Sequence, residues 1–191
     1  MKINEFLNEY LERVELPIKG LEIITPAKHE DERGYFMESF NSERYDQIFF
    51  QDNLVYSHKN VVRGLHFQTS PHEQGKLITC LTGKILDVAV DIREGSPTFG
   101  KYEAVILSGK NRKQFWIPGG FAHGYSVLSK EATVLYKCDR LWRPESEGGI
   151  KWDDPTLNID WRVSNPIVSE KDEQLPSLYA HMDGRSPGTP S

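Results

Sequence analysis

At 191 residues the chain is long enough for one domain to bury its own core without disulfides or metals. Its 38% hydrophobic and 27% charged residues describe a globular protein, and a formal net charge of −5 gives no default attraction to nucleic acid or to an acidic membrane surface. No apolar run approaches the roughly 20 residues of a membrane span. The two cysteines, Cys80 and Cys138, form neither a CxxC pair nor a disulfide framework. The opening "MKINEFLNEYLERVE" is acidic throughout and lacks the basic start and apolar stretch of a secretory signal. A cytoplasmic protein with reduced thiols is expected, with no membrane and no nucleic acid among its partners.

In chain order, Ile3, Phe6, Leu7, Tyr10, Leu11 and Val14 recur at helical spacing. The pattern predicts an amphipathic helix over residues 2 to 14, inside an N-terminal extension spanning 1–18. A second short helix is predicted at 42 to 49, with Ser42 as its N-cap. From about 54 to 138 the pattern changes to short apolar strands. In "ILDVAVDI", Leu86, Val88, Val90 and Ile92 share one face while Asp87, Ala89 and Asp91 share the other. The turn signals "TGK", "EGSPTFG", "SGKN" and "PGG" divide this run roughly every ten residues, the rhythm of a sandwich or barrel. The last stretch, within 179–191, is small and polar and is predicted to be a disordered tail. The expected fold is an all-β barrel or jelly roll with peripheral helices, a shape whose interior can hold a ligand.

Polar residues on such strands carry the chemistry. In "VVRGLHFQ", Arg63 and His66 are three apart, which places them on opposite faces of a regular strand. Gly64 between them offers a bulge that would turn both inward. A metal site on a barrel of this kind typically needs two histidines in HxH spacing, a carboxylate and a later histidine. Here Gly64 and Gln68 flank His66 at that spacing, His72 lies in a polar turn and His123 stands alone. The ligands for a zinc site are missing, so no metal is expected. Without one, His66 suits a general base and Lys76 a cation beside a developing oxyanion. Asp172, in "SEKD", offers the carboxylate that would orient His66. Tyr136 shares a strand face with Val134 and Cys138, where its hydroxyl is either a bonded core group or a proton donor. A base and an acid with a lysine between them suit epimerisation beside a carbonyl.

The segments "DERGYFMESF", "QDN", "VVRGLHFQ", "QGKL", "DVAVDIREGSPTFG", "IPGGFAHGYSVLS", "LYKC", "GGIKWDDP", "IDW" and "SEKD" together resemble the dTDP-4-dehydrorhamnose 3,5-epimerase (RmlC) family, in order, over about residues 19 to 178. The resemblance implies a cupin-like jelly roll that is a homodimer and uses no metal or other cofactor. It implies His66 as base, Asp172 as its paired carboxylate, Tyr136 as proton donor and Lys76 beside the C4 carbonyl oxygen. Arg63 and His123 match positions around the sugar and diphosphate, and Arg33, Glu38 and the Gln51–Asp52–Asn53 run match substrate-binding positions near the nucleotide. Glu147 and Lys171 match two more. Some of these reach across the family's dimer. The implied substrate is a dTDP-4-keto-6-deoxy sugar inverted at C3 and C5.

Two features depart from the family pattern. Trp142 in "DRLWRP" stands where the family commonly stacks a tyrosine on the thymine ring, and the N-terminal segment has no counterpart in the core pattern. Rival readings are an epimerase inverting only C3 or only C5, a non-catalytic sugar-nucleotide-binding cupin, and a metal-dependent cupin oxygenase.

Overall fold

The computed structural model describes residues 10–182. Its strands are, in chain order, β1 (Leu11–Glu15), β2 (Glu22–Pro26), β3 (Lys28–Asp31), β4 (Gly34–Met37), β5 (Gln51–His58), β6 (Val62–Gln68), β7 (Lys76–Thr82), β8 (Lys84–Asp91), β9 (Tyr102–Ser108), β10 (Gln114–Ile117), β11 (Phe121–Val127), β12 (Glu131–Cys138) and β13 (Glu147–Gly149). Two short helices follow, α1 (Glu170–Glu173) and α2 (Leu178–Met182). One sheet runs β1-β2-β10-β7-β12-β5, the other β13-β6-β11-β8-β9, and β3–β4 is a separate hairpin. All the strand pairs are antiparallel. This is the all-β, jelly-roll type of architecture predicted from the turn rhythm.

The main core lies between the two large sheets. Ile23, Ile78, Phe115, Ile117, Ala132 and Val134 from the six-stranded sheet meet Ile85, Ala89, Leu107, Phe121, Tyr125 and Val127 from the five-stranded one. The other face of the five-stranded sheet is covered as well. Val62, Leu65, Leu86, Val88, Val90 and Ala122 pack under Ile150, Leu157, Trp161 and Leu178 of the C-terminal segment. Asp154 pins that segment by accepting the backbone N–H groups of Thr156, Leu157 and Leu178. β8 and β11 are therefore buried on both faces, and the alternation in "ILDVAVDI" sorts two apolar layers rather than core from solvent. Its Asp87–Ala89 face is the one turned into the barrel.

Two expected helices are corrected. The predicted helix over 2 to 14 lies outside the described residues up to residue 9. From Leu11 onward the chain is β1, paired with β2 from Leu11↔Pro26 to Glu15↔Glu22. Residues 11–15 thus belong to the six-stranded sheet, not to a separate helical extension. Five residues are too few to choose between periods of 3.6 and 2, and pairing with β2 decides. At 42 to 49 there is a turn and then irregular chain. The Asn41 side chain, not that of Ser42, accepts from Glu43 N, and the backbone of Asn41 takes the N–H groups of Arg44 and Tyr45. Tyr45 is then drawn into a satellite core with Leu11, Ile24, Leu77 and Trp116, its hydroxyl donating to Gln114 Oε1 at 2.7 Å. At the other end, residues 179–182 of the predicted tail are helical, and the rest of that tail lies outside the described residues.

Candidate active site

The irregularity of β6 builds the site. His66 pairs with His123 and Arg63 with Tyr125, so Gly64 and Leu65 oppose the single residue Gly124. That is a β-bulge, and it brings Arg63 and His66 to one inner chamber in spite of their odd spacing. Only glycine serves at position 64. Its φ is +115°, and a Cβ there would stand 2.7 Å from both Gly124 Cα and His123 O.

The C-terminal segment delivers the partner of His66. Ile167 bridges to Val61 alongside the start of β6. Ser169 then caps α1, its Oγ accepting from Asp172 N at 3.2 Å, which holds Asp172 in the first turn. From there Asp172 Oδ2 accepts Gly64 N at 3.1 Å, and Oδ1 lies 2.7 Å from His66 Nε2. Burial opposes the Asp172 carboxylate, but the hydrogen bond and charge of His66, with the Gly64 and Ser169 bonds, outweigh it and hold the carboxyl below its ordinary value. An ionised Asp172 accepts the Nε2 proton. In the neutral ring the lone pair is then on Nδ1, as a base requires.

The opposite wall comes from β7 and β12. Lys76 is buried, and loss of hydration pushes its ammonium below the ordinary lysine value against the opposing fields of Cys138 and Asp139. Burial pushes the Tyr136 phenol up to about 12, so its hydroxyl keeps its proton at neutral pH. The ring centroids of Tyr136 and His123 are 6.5 Å apart. His123 Nε2 in turn lies 2.9 Å from Asp87 Oδ1, both side chains being buried.

These groups line two connected spaces. The inner chamber, ≈ 120 Å³, is bounded by Arg63, His66, Lys76, His123, Tyr125 and Tyr136. The outer cleft, ≈ 560 Å³, adds Gln51, Asn53, Trp142 and Glu147. His66, Lys76 and Tyr136 line both, at the junction. In the outer cleft Gln51 Oε1 accepts Trp142 N at 2.9 Å and so ties the loop bearing Trp142 to β5. The indole is 48% exposed, available for stacking. Glu147 is paired with Lys171 at 2.7 Å on the rim.

Four predicted binding residues line neither space: Lys171 reaches the outer cleft only through Glu147, and Asp52, Arg33 and Glu38 are held elsewhere. Strand alternation turns Asp52 away from Gln51 and Asn53, and it pairs with Lys137 on the neighbouring strand. Arg33 sits on the β3–β4 hairpin against Asp31, and Glu38 pairs with Arg44. Among the described residues no group of three or more His, Cys, Asp or Glu side chains is placed to hold a metal ion. His72 bonds Ser146 instead.

Sequence reasoning gave no role to Asp87, Ser57 or Tyr125. Arg63 Nε donates to Ser57 Oγ at 3.0 Å, and Ser57 Oγ lies 3.1 Å from the Tyr125 hydroxyl. Asp87 had a legible signal, a carboxylate on the inward face of an otherwise apolar strand. Nothing in the sequence marked Ser57.

An imidazole backed by a carboxylate, a phenol that keeps its proton and a buried lysine surround a chamber of monosaccharide scale, beside a cleft with an exposed aromatic. Proteins similar to this chain give the arrangement a context. A model of the dTDP-4-dehydrorhamnose 3,5-epimerase family matches residues 15–180. The dTDP-4-dehydrorhamnose 3,5-epimerase of Shigella flexneri is 48% identical over 165 residues, covering 83% of this chain and 91% of the relative. The crystal structure of dTDP-6-deoxy-D-glucose-3,5-epimerase from Legionella pneumophila Philadelphia 1, in complex with dTDP-4-keto-L-rhamnose, is 46% identical with a TM-score of 0.88 and covers 95% of this chain and 100% of that one. A 3'-monoepimerase from Streptomyces bikiniensis, in complex with dTDP-quinovose, is 32% identical with a TM-score of 0.82, covering 90% of each chain. With the match running through both large sheets and the segment that carries Asp172, the chain belongs to the dTDP-4-dehydrorhamnose 3,5-epimerase family.

Proposed function

We propose that the protein converts dTDP-4-dehydro-6-deoxy-D-glucose to dTDP-4-dehydro-L-rhamnose, by removing and returning protons at C3 and C5. The 4-keto group acidifies the hydrogens on both carbons, so one base serves for either. His66 takes the proton, Lys76 meets the charge that develops on the C4 oxygen, and Tyr136 returns a proton from the opposite side. The observation that carries this reading is the 2.7 Å His66–Asp172 contact at the junction of chamber and cleft, with Lys76 and Tyr136 lining the same two spaces. Arg63 and His123 meet the sugar and diphosphate, and Gln51, Asn53 and Glu147 meet the nucleotide side, with Lys171 holding Glu147. The enolate needs a cation but not a metal, since Lys76 supplies one. Exhaustively chelated protein should still turn over this substrate, with product identified by NMR. Loss of turnover that one added metal restores would contradict the assignment.

A second reading, inversion at a single carbon, is favoured by the likeness to the Streptomyces bikiniensis 3'-monoepimerase. It uses the same base and differs in how the pocket tilts the sugar, and exchange resolved by position separates the two.

Trp142 is the thymine platform in this reading. Stacking on an aromatic is worth about 1–3 kcal/mol per base. Trp142→Ala should therefore raise KM and the Kd for dTDP by about tenfold or more while kcat changes little. Unchanged dTDP affinity in titration calorimetry would make Trp142 a packing residue.

The working form in this reading is a homodimer in the cytoplasm. Phe36, Ile48, Phe50, Leu54 and Tyr56 are each more than half exposed along the hairpin and the edge strand β5, an apolar face suited to a second copy. Pairing there would carry Arg33 and Glu38 toward the neighbouring subunit's cleft. Light scattering should give twice the chain mass, and a fully active monomer would contradict it. The two cysteines, both free and buried, suit a reducing compartment. Recovery of the native protein in a membrane or secreted fraction would overturn that placement.

A further inference from the structure

Asp87 is the least easily explained charge in the molecule. It is fully buried and Oδ2 has no hydrogen-bond partner, while Oδ1 meets only His123 Nε2. A core position needing only packing would hold an apolar side chain. His123 lines the inner chamber, and with Nε2 turned toward Asp87 its Nδ1 is the ring nitrogen left for that space.

The pair has three proton arrangements. A carboxylate facing a neutral ring protonated at Nε2 carries a net negative charge and presents a bare Nδ1. A carboxylate with an imidazolium is net neutral and presents Nδ1–H. A carboxylic acid donating to Nε2 is also net neutral, and again the ring hydrogen is on Nδ1. Burying a net charge with one oxygen unpartnered is the costly choice.

We propose that Asp87 and His123 form a net-neutral pair whose outward-facing group is Nδ1–H, a donor that joins Lys76 in binding the C4 oxygen of the sugar. Asp87 is then a positioning residue and His123 the group in contact with substrate. The proposal rests on the epimerase reading for the identity of that oxygen, but the proton arrangement does not. Burial pushing the Asp87 carboxyl up is consistent with it. The other groups facing the pair are Arg63, Lys76, the Cys80 thiol, which is neutral when protonated, Tyr125, Tyr136 and the His66–Asp172 dyad. The two cations favour the anionic arrangement, but Arg63 is solvent-exposed and held by Ser57, and burial weakens the ammonium form of Lys76. Both phenols and the Asp172 carboxylate add no positive charge.

The test is long-range proton–nitrogen NMR of the full chain labelled in its six histidines, with His123 assigned by its loss in His123→Gln. A protonated Nδ1 on His123 between about pH 6 and 8 is expected, and an unprotonated Nδ1 with the hydrogen on Nε2 would overturn the pair. This readout needs no activity and no Asp87 variant, so it stands even if the epimerase reading fails in the wild-type turnover assay. For the catalytic consequence, Asp87→Leu should lower kcat on the order of 10²-fold with KM little changed, the size seen when one oxyanion donor is lost. Wild-type kcat in a folded Asp87→Leu protein would overturn the positioning role.

Discussion

Replacing His66 by asparagine should abolish solvent-deuterium exchange at C3 and C5 of the substrate together. A general base contributes about 10²–10⁴-fold, and His123, the other histidine of the chamber, is turned toward Asp87. Tyr136→Phe removes the acid and leaves the base. Protons should then still be abstracted, and label returned from the His66 side, so deuterium should enter the sugar faster than inverted product forms. Asp172→Asn should fall between the two, because the ring stays in place while the carboxylate that accepts its Nε2 proton is gone. Exchange and product stereochemistry followed side by side in D2O distinguish the three variants. Robust exchange at either carbon in His66→Asn would remove His66 from the base role.

Gly64→Ala should be among the most damaging single methyls in the described part of the protein. The substitution meets two penalties at once, a φ of +115° and rigid backbone 2.7 Å away on both Gly124 and His123. Neither neighbour is the flexible end of a side chain, so β6 and β11 must separate. That puts the cost in the upper range for point mutants, about 3–5 kcal/mol, or about 10 °C in Tm for a chain of this length. Activity should fall further than stability, because Asp172 is anchored on Gly64 N and the bulge aims His66. Gly95→Ala is the control, since its φ is also positive, +73°, but its Cβ would meet open space. It should cost only about 1 kcal/mol. Equal losses in thermal denaturation would show that backbone conformation, and not the β6–β11 contact, sets the penalty.

Much of the fold was legible because its strands are short and well punctuated. Glycine-rich turns separate β7, β8, β9, β10 and β11, and β8 alternates cleanly. The terminal elements were not legible, for a physical reason. β1 buries one residue of five, Leu11, so its own pattern carries no period, and its strand state comes from β2. The helix predicted at 42 to 49 does not form because Tyr45 and Phe49 are held by Gln114 and Trp116, contacts far away in sequence. In the site, the Arg63–Gly64–His66 oddity announced the bulge, whereas Ser169, whose side chain caps α1 and holds Asp172, was given no role by the sequence. Asp87 was visible as a misplaced charge, but its partner His123 lies 36 positions away, and only the β8–β11 register, Ala89 beside His123, brings the two together.

The most direct test of the account is proton NMR of the wild-type protein with dTDP-4-keto-6-deoxyglucose in D2O, resolved by position. The account predicts deuterium at both C3 and C5, with dTDP-4-dehydro-L-rhamnose accumulating. Exchange confined to one of those carbons, or no exchange at either, would contradict it.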